Sequence, residues 1–419
     1  MRSITLAATV LVIALAHPAM AQTPEQTAAA ALKAAPVWDG HNDVPEQLRE
    51  RRKNVLSGFD FRDTLATGDA TKGIGAMHTD LKRLRAGKVG AQFWSVYVSA
   101  GLSEPQAVQA TLEQIDVMKR IIARYPAEMQ FCTDSACVDK AMKSGKVASL
   151  LGMEGGHSIG GSLAVLRQMH ALGARYMTLT HFKNLAWAES ATDAPMAQGL
   201  TPFGKDVVRE MQRLGVLVDL SHVSEKTMID ALDVAGAPVI FSHSGAQGID
   251  GHPRNVSDRV LKRMAVNGGI VMVNTAPAYV SETVRSWIAA RIGEEERLKA
   301  IHIGNPDAAL AGRAAWIKAN PLPHATLSQV ADHVDHLARV AGFDHIGLGG
   351  DYDGIDTVVV GMEDVSTYPA LFTELARRGW SQSNLEKLSS GNMMRVMKAA
   401  EGYAAQHRRD APLENPTAF

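Results

Sequence analysis

Eight short apolar runs recur along this chain, at intervals long enough to hold a helix, and this rhythm constrains the fold most. The runs are rich in β-branched and aromatic residues, which strands prefer. Near-continuous apolar strands are typical of parallel sheets, which are buried on both faces. The runs lie near residues 35–38, 91–98, 146–151, 175–180, 216–220, 238–242, 270–274 and 345–348.

Eight strands alternating with helices predict an α/β chain folded as a (β/α)8 barrel, with a doubly wound open sheet as the alternative. One segment breaks the alternation. From about Ser281 to Ala325 the sequence predicts a helix-rich insertion between strands 7 and 8, either a lid or a solvated surface decoration. No repeat or convincing linker interrupts the chain. Residues 22–419 are therefore expected to form one domain.

The first 21 residues predict a secretory signal peptide. Arg2 supplies positive charge, Ile4 to Ala16 is apolar, and Ala19-Met20-Ala21 has the form of a cleavage site. The apolar run is shorter than the ~20 residues that span a bilayer. The mature chain is therefore expected to be exported, to the periplasm in a Gram-negative source or otherwise as a secreted protein.

Charge and cysteine content limit the partners. A formal net charge of -1 provides no field that attracts nucleic acid or an anionic membrane, so neither is expected to bind. In an exported protein, Cys132 and Cys137 would form a disulfide across a small loop, with two free thiols as the alternative. The tail carries no lipid-anchor signal, and a homodimer stays an open alternative.

Metal-competent or titratable side chains follow most of the predicted strands. In a (β/α)8 barrel the carboxyl ends of all strands converge on one face, so these side chains would meet in one pocket. Any one of them alone is more often a structural histidine or a turn aspartate. The coincidence of the whole set points to a site. The set comprises His41, Asp43, Glu154, His181, His222, His243 and Asp351.

Such a set is suited to a pair of divalent cations. Two zinc ions ~3.5–4 Å apart need a bridging carboxylate and a bridging hydroxide, with His and Asp completing each coordination shell. Glu154 can reach both metals, whereas His41, Asp43, His222 and His243 can be shared between them. Imidazoles and carboxylates without thiolates make zinc the default metal. We therefore expect two Zn2+ per chain.

From about Trp38 to Met397 the chain resembles the membrane (renal-type) dipeptidases, binuclear zinc peptidases of the amidohydrolase-like superfamily. The resemblance implies a (β/α)8 barrel and an exported bacterial member that hydrolyses dipeptides by attack of a metal-bridging hydroxide. The disulfide cysteines of the lipid-anchored mammalian members do not appear in this sequence, so we do not infer a membrane anchor or a covalent dimer from the resemblance. Its main motifs here are Asp39-Gly40-His41-Asn42-Asp43, Glu154-Gly155-Gly156-His157-Ser158, Asp219-Leu220-Ser221-His222, Phe241-Ser242-His243-Ser244, Arg254-Asn255-Val256 and Gly349-Gly350-Asp351-Tyr352-Asp353-Gly354.

The resemblance also implies a role for each site residue. His41, Asp43 and Glu154 would hold one zinc, and Glu154, His222 and His243 the other. His181 would contact the substrate carbonyl and its tetrahedral intermediate. Arg254 would bind the terminal carboxylate, with Tyr279 lining the site. Asp351 would lie near the free amino group and deliver a proton to the leaving amine, so that Glu154, His181 and Asp351 form the catalytic group.

Three alternatives remain open from the sequence. Gly156-His157-Ser158-Ile159-Gly160 spells the G-x-S-x-G pattern of serine hydrolases, with Ser158 as nucleophile. That hypothesis leaves the strand-end histidines without a role. A second alternative keeps the metals and changes the substrate to another amide or a lactam. The third is a non-catalytic metal- or peptide-binding protein on the same barrel.

Overall fold

The computed structural model describes residues 22–415, in which eight parallel strands close into a barrel. The order around the barrel follows the chain, and β2 pairs with β4 to close it. The predicted (β/α)8 barrel is thus confirmed. The barrel strands are β1 (Val37–Asn42), β2 (Val89–Ser95), β4 (Val147–Glu154), β5 (Ala174–Thr178), β6 (Leu217–Asp219), β7 (Ile240–Ser244), β8 (Ile270–Val273) and β9 (Ile346–Leu348).

A ninth strand, β3 (Met129–Phe131), was not predicted from the sequence. It pairs with the first residues of β4, where Ala148 has Gln130 on one side and Ala91 of β2 on the other. The β5 pairing begins only at Leu151 of β4. Therefore β3 and β5 lie in succession along one edge of β4, and β3 adds no member to the barrel. Three residues are too short a run for a periodic signal.

Helices connect the strands, and their ends follow ordinary capping rules. Thr201 accepts a hydrogen bond from the Gly204 backbone at the start of α7, and Gly215 ends that helix in the left-handed conformation. The helices are α1 (Pro24–Ala34), α2 (Val44–Arg52), α3 (Leu81–Ala86), α4 (Glu104–Arg124), α5 (Ser135–Lys143), α6 (Leu163–Leu172), α7 (Pro202–Leu214), α8 (Glu225–Val234), α9 (Asp258–Asn267), α10 (Pro277–Val280), α11 (Glu282–Ile301), α12 (Pro306–Ala319), α13 (Leu327–Ala341), α14 (Tyr368–Arg377), α15 (Gln382–Glu386) and α16 (Asn392–His407).

Large side chains fill the inside of the barrel. Trp38, Phe93 and Tyr176 are fully buried, and their rings form a continuous row from β1 through β2 to β5. A second apolar layer lies between the strands and the surrounding helices. Burial on both faces explains why the strands read as continuous apolar runs rather than as alternating patterns.

The predicted helical insertion lies between β8 and β9, where α11 and α12 pack against each other as an antiparallel pair. The Trp287 and Trp316 rings are 5.6 Å apart, and Arg313 forms an ion pair with Glu295 at 2.8 Å. The short helix α10 precedes this pair at the carboxyl end of β8. This placement matters for the site, because α10 borders the cavity described below.

Two further expectations concern export. Cys132 and Cys137 are joined in a disulfide, as favoured from the sequence. The predicted signal peptide, residues 1–21, lies outside the described residues. Between residues 22 and 415, none of the helices combines the length and apolar character needed to cross a membrane.

Candidate metal centre and active-site cavity

The predicted ligands lie at the carboxyl ends of four barrel strands. His41 is in β1, and Asp43 follows that strand directly as the N-cap residue of α2. Glu154 is the last residue of β4, and His243 lies within β7. His222 comes three residues after β6. All five side chains are buried, so the closure of the barrel brings together residues that are distant in sequence.

The carboxylate of Glu154 joins two groups of ligand atoms. Its Oε2 lies 3.4 Å from Nε2 of His41, which in turn lies 3.3 Å from Oδ2 of Asp43. Its Oε1 lies 3.0 Å from Nε2 of His222 and 3.4 Å from Nε2 of His243. We call His41, Asp43 and Glu154 the first ligand group, and Glu154, His222 and His243 the second ligand group. Within each group the ligand atoms lie within 4.8 Å of one another.

The chemistry of these residues fits two divalent cations. Nε2 of His41 and Oδ1 of Asp43 are buried and make no hydrogen bond within the described chain. Nε2 of His222 and Nε2 of His243 face each other at 2.9 Å. Unpaired buried polar atoms are costly, and a cation bound in each ligand group would satisfy them. One carboxylate with an oxygen toward each group is the arrangement that a paired metal site requires.

Burial sets the protonation of the ligands. It lowers the pKa of His222 and of His243 well below the usual histidine range, and the charge of Arg254 lowers the pKa of both further. Burial also raises the pKa of Asp43. The pKa of Glu154 is well below its usual range, because the surrounding histidines outweigh the effect of burial. Neutral imidazoles beside an ionised carboxylate are the forms that bind metal.

His41 differs from the other two histidine ligands. Burial lowers its pKa, but Tyr176, Asp43 and Glu154 together raise it well above the usual value. Its Nδ1 lies 2.8 Å from the hydroxyl of Tyr176, which leaves Nε2 directed at the carboxylates. A bound cation would replace the proton that these carboxylates stabilise on Nε2.

Asp351 lies beside both ligand groups, just after β9. Its carboxylate oxygen is within 4.8 Å of ligand nitrogens of His41 and His243. Burial, followed by the charges of Asp43 and Glu154, raises the pKa of Asp351 to about 8. The side-chain amide of Asn274 donates to its Oδ2 at 3.1 Å. Asp351 is therefore oriented, and it can change protonation state close to neutral pH.

A cavity of about 310 Å³ opens above the ligands. Tyr97 and Phe182 border one side, and Tyr279 of α10 borders another. His181 also lines it, 3.6 Å from Glu154, and burial lowers the pKa of His181 to about 4. Its imidazole is therefore neutral and retains one N–H. No lining residue comes from α11 or α12 among the described residues, so the cavity gives no support to a lid formed by these two helices.

Arg254, which the resemblance assigns to the terminal carboxylate, does not line the cavity. Its side chain is buried behind Tyr279, with the guanidinium carbon 5.4 Å from the centre of that ring. One terminal nitrogen donates to the His243 carbonyl at 3.1 Å, and Nε has no partner in the described chain. Arg254 is close to the cavity without bordering it directly.

Ser158 does not have the surroundings of a nucleophile. It lies in a short 3-10 helix after β4, its side chain is fully buried, and its hydroxyl makes no hydrogen bond within the described chain. A serine nucleophile needs a base within hydrogen-bond reach and access to substrate. The structure therefore disfavours the serine hydrolase alternative.

Several residues that support the ligands were missed by the sequence analysis. Tyr176 contacts His41, Ser95 donates to Oε2 of Glu154 at 3.1 Å, and Ser242 contacts His243. Asp219 and Ser242 stood within the quoted motifs but had no assigned role. The one available signal was a polar residue inside a run that is otherwise apolar.

Comparisons with known proteins agree with this fold. A family model described as membrane dipeptidase (peptidase family M19) matches residues 25–411. The probable dipeptidase PvdM from Pseudomonas aeruginosa has a similar structure, with a TM-score of 0.77, 20% identity, and coverage of 91% of this chain and 99% of that chain. A metallo peptidase from Rhodobacter sphaeroides, liganded with a phosphinate mimic of the dipeptide L-Ala-D-Ala, gives a TM-score of 0.70, 24% identity, and coverage of 87% and 99%.

Proposed function

Because this chain belongs to the membrane dipeptidase family of metallopeptidases, we propose that it hydrolyses dipeptides with two zinc ions bound. The first ligand group would hold one ion and the second ligand group the other. The observation that carries this proposal is Glu154, whose two carboxylate oxygens face different ligand groups. When bound, the ions would supply a hydroxide nucleophile near neutral pH and polarise the scissile carbonyl.

His181 and Asp351 would handle the charge and the protons of the reaction. The neutral imidazole of His181 borders the cavity and can donate its N–H where the oxyanion develops. Asn274 donates a hydrogen bond to one carboxylate oxygen of Asp351. The other oxygen is free to accept a proton and to pass it to the departing amine. Both residues lie within reach of a peptide placed over Glu154.

The two ends of a dipeptide would meet opposite charges. Arg254 supplies a guanidinium for the terminal carboxylate. The Tyr279 ring lies between this guanidinium and the cavity, so the ring must move aside or contact the carboxylate together with Arg254 when the substrate binds. Asp351 would bind the free ammonium group. A cavity of about 310 Å³ is at the small end of ligand sites, which suits a substrate of two residues.

We also propose that the protein acts after export, with the periplasm as the expected compartment. The bond between Cys132 and Cys137 supports this, because disulfides persist in oxidising compartments. Its partners would be small dipeptides rather than nucleic acid. We expect no stable membrane anchor after signal cleavage, and a homodimer is compatible with these proposals.

Metal removal tests the proposed function. The purified protein is assayed for bound metals and for hydrolysis of a dipeptide panel, before and after dialysis against a chelator. We expect close to two zinc ions per chain, loss of hydrolysis after chelation, and recovery when zinc is added. Less than one metal per chain, combined with activity that is indifferent to the chelator, would refute the mechanism.

A further inference from the structure

A buried chain of hydrogen bonds stands behind one histidine of the second ligand group. The Ser242 hydroxyl oxygen lies 2.8 Å from Nδ1 of His243. The same hydroxyl donates to Oδ2 of Asp219 at 2.6 Å. Asp219 and Ser242 are fully buried and His243 nearly so, which keeps solvent away from this chain.

The contacts of Asp219 determine the direction of each hydrogen bond. Its Oδ1 accepts from the backbone N–H of Ser221 at 3.1 Å and of Ser242 at 2.8 Å. Its Oδ2 accepts from the hydroxyls of Thr178 and Ser242. Every partner of this carboxylate is a donor, as an ionised carboxylate requires. Ser242 has one hydroxyl proton, and it uses this proton to donate a hydrogen bond to Asp219.

The proton position on His243 follows from this direction. Since the Ser242 proton points to Asp219, the Ser242 oxygen can only accept from Nδ1–H of His243. Nε2 of His243 then carries a free lone pair, and this atom faces Glu154 and His222. We propose that Asp219 and Ser242 are positioning residues that hold His243 in the Nδ1-protonated tautomer, so that Nε2 is ready to bind metal.

The other two histidines indicate that these hydrogen bonds from Asp219 through Ser242 support only one of the two metal positions. Nδ1 of His41 contacts the Tyr176 hydroxyl rather than a serine–aspartate pair. Nδ1 of His222 has no hydrogen-bond partner in the described chain. His243 is therefore the anchored histidine of the second ligand group. Loss of its anchor should weaken the second metal more than the first.

Two substitutions separate this proposal from a merely structural role. Ser242→Ala removes the acceptor for Nδ1–H, which should weaken one zinc site by about 10- to 100-fold. Asp219→Asn should be at least as damaging, although it preserves size. The two backbone donors hold the amide oxygen at the Oδ1 position, so the amide NH2 occupies the Oδ2 position and donates to Ser242. Ser242 must then donate to Nδ1, which moves the His243 proton to Nε2.

The experiment has two readouts and a matched control. Nitrogen NMR of the metal-free protein reads the His243 tautomer, with its signal identified by its loss in His243→Ala. Zinc affinities of both sites are measured by competition with a chromophoric chelator. Ser149→Ala serves as control, because Ser149 is also a fully buried strand serine but its hydroxyl contacts only the Val147 carbonyl among the described residues.

We expect a protonated Nδ1 in the wild type and a protonated Nε2 in Asp219→Asn. Ser242→Ala and Asp219→Asn should each weaken one zinc site, and Ser149→Ala should leave both unchanged. A protonated Nε2 in the metal-free wild type would overturn the proposal even if no variant folds. Unchanged zinc affinities in folded Ser242→Ala and Asp219→Asn would also overturn it. This inference rests on the proposed function, which fails separately if the wild type binds no zinc.

Discussion

Replacing Gly152 with alanine should damage both the barrel and the metal site. Gly152 on β4 pairs with Tyr176 on β5, and a methyl group at Gly152 would lie 2.0 Å from Cζ of the Tyr176 ring. The ring is fully buried and lies 4.9 Å from the Phe93 ring, centre to centre. Its hydroxyl reaches across the barrel to His41 on β1. A displaced Tyr176 therefore loses its contact with His41, a proposed metal ligand.

The magnitude follows from these contacts. Carbon atoms pack at about 3.5–4.0 Å, so the Tyr176 ring must move by about 1.5 Å. Overpacking of a tight core costs about 1–3 kcal/mol. A broken buried hydrogen bond between Tyr176 and His41 costs about 1–3 kcal/mol more. We expect Gly152→Ala to lower the free energy of unfolding by about 2–6 kcal/mol on these two grounds. Zinc affinity should fall as His41 loses its orientation.

Urea denaturation and zinc titration of the variant measure the two effects. Gly293→Ala is the matched control, because Gly293 lies within α11 and a methyl group there meets no atom within 4 Å. The control should be neutral or more stable by up to about 1 kcal/mol, since alanine favours a helix over glycine. If Gly152→Ala unfolded at the same urea concentration as the wild type and kept its zinc affinity, the inferred role of Tyr176 would be wrong.

Two further predictions concern substrate binding and pH. Arg254→Ala should lower kcat/KM for dipeptides by about 100-fold, or about 3 kcal/mol, but change it little for C-terminal amides. An equal loss of kcat/KM for dipeptides and for C-terminal amides, or no loss for either, would favour the alternative amide or lactam substrate. Metal-free protein should lose stability in urea from pH 7 to 9, because burial raises the pKa of Asp351 to about 8 and of Glu46 to about 9. The folded state holds protons on these two carboxyl groups that the unfolded chain has already released, so stability falls as pH rises toward the folded pKa values and levels off above them. Bound zinc should reduce this dependence of stability on pH. If the slope of stability against pH were the same with and without zinc, the assignment of Asp351 and Glu46 as the titrating groups would be wrong.

The barrel was predictable from the recurrence of buried apolar runs, and so was the convergence of strand-end side chains on one face. Each barrel strand is a buried run of a few residues, and the parallel arrangement places all carboxyl ends on one face. His41, Glu154 and His243 lie within strands, where this rule applies directly. The rule needs no knowledge of which strands are neighbours.

The supporting contacts were not predictable, because they depend on the register and closure of the sheet. Tyr176 reaches His41 between β5 and β1, which do not pair with each other. Ser242 meets Asp219 because β6 and β7 pair so that Asp219 lies opposite Ile240. A shift of two residues would preserve the apolar pattern of either strand and break this contact. Sequence pattern alone does not distinguish these registers.

The remaining site residues lie in turns, where strand alternation makes no prediction. His222 and Asp351 both adopt left-handed backbone conformations, with φ of 67° and 60°. Histidine and aspartate are enriched in this region, whereas β-branched residues are rarely found there. Asp43 also lies outside β1, at the N-cap of α2, and its side chain meets that of His41. The two side chains converge because the chain turns into α2 at Asp43. The site therefore combines ligands fixed by strands with ligands fixed by turns, and only the first kind can be derived from periodicity.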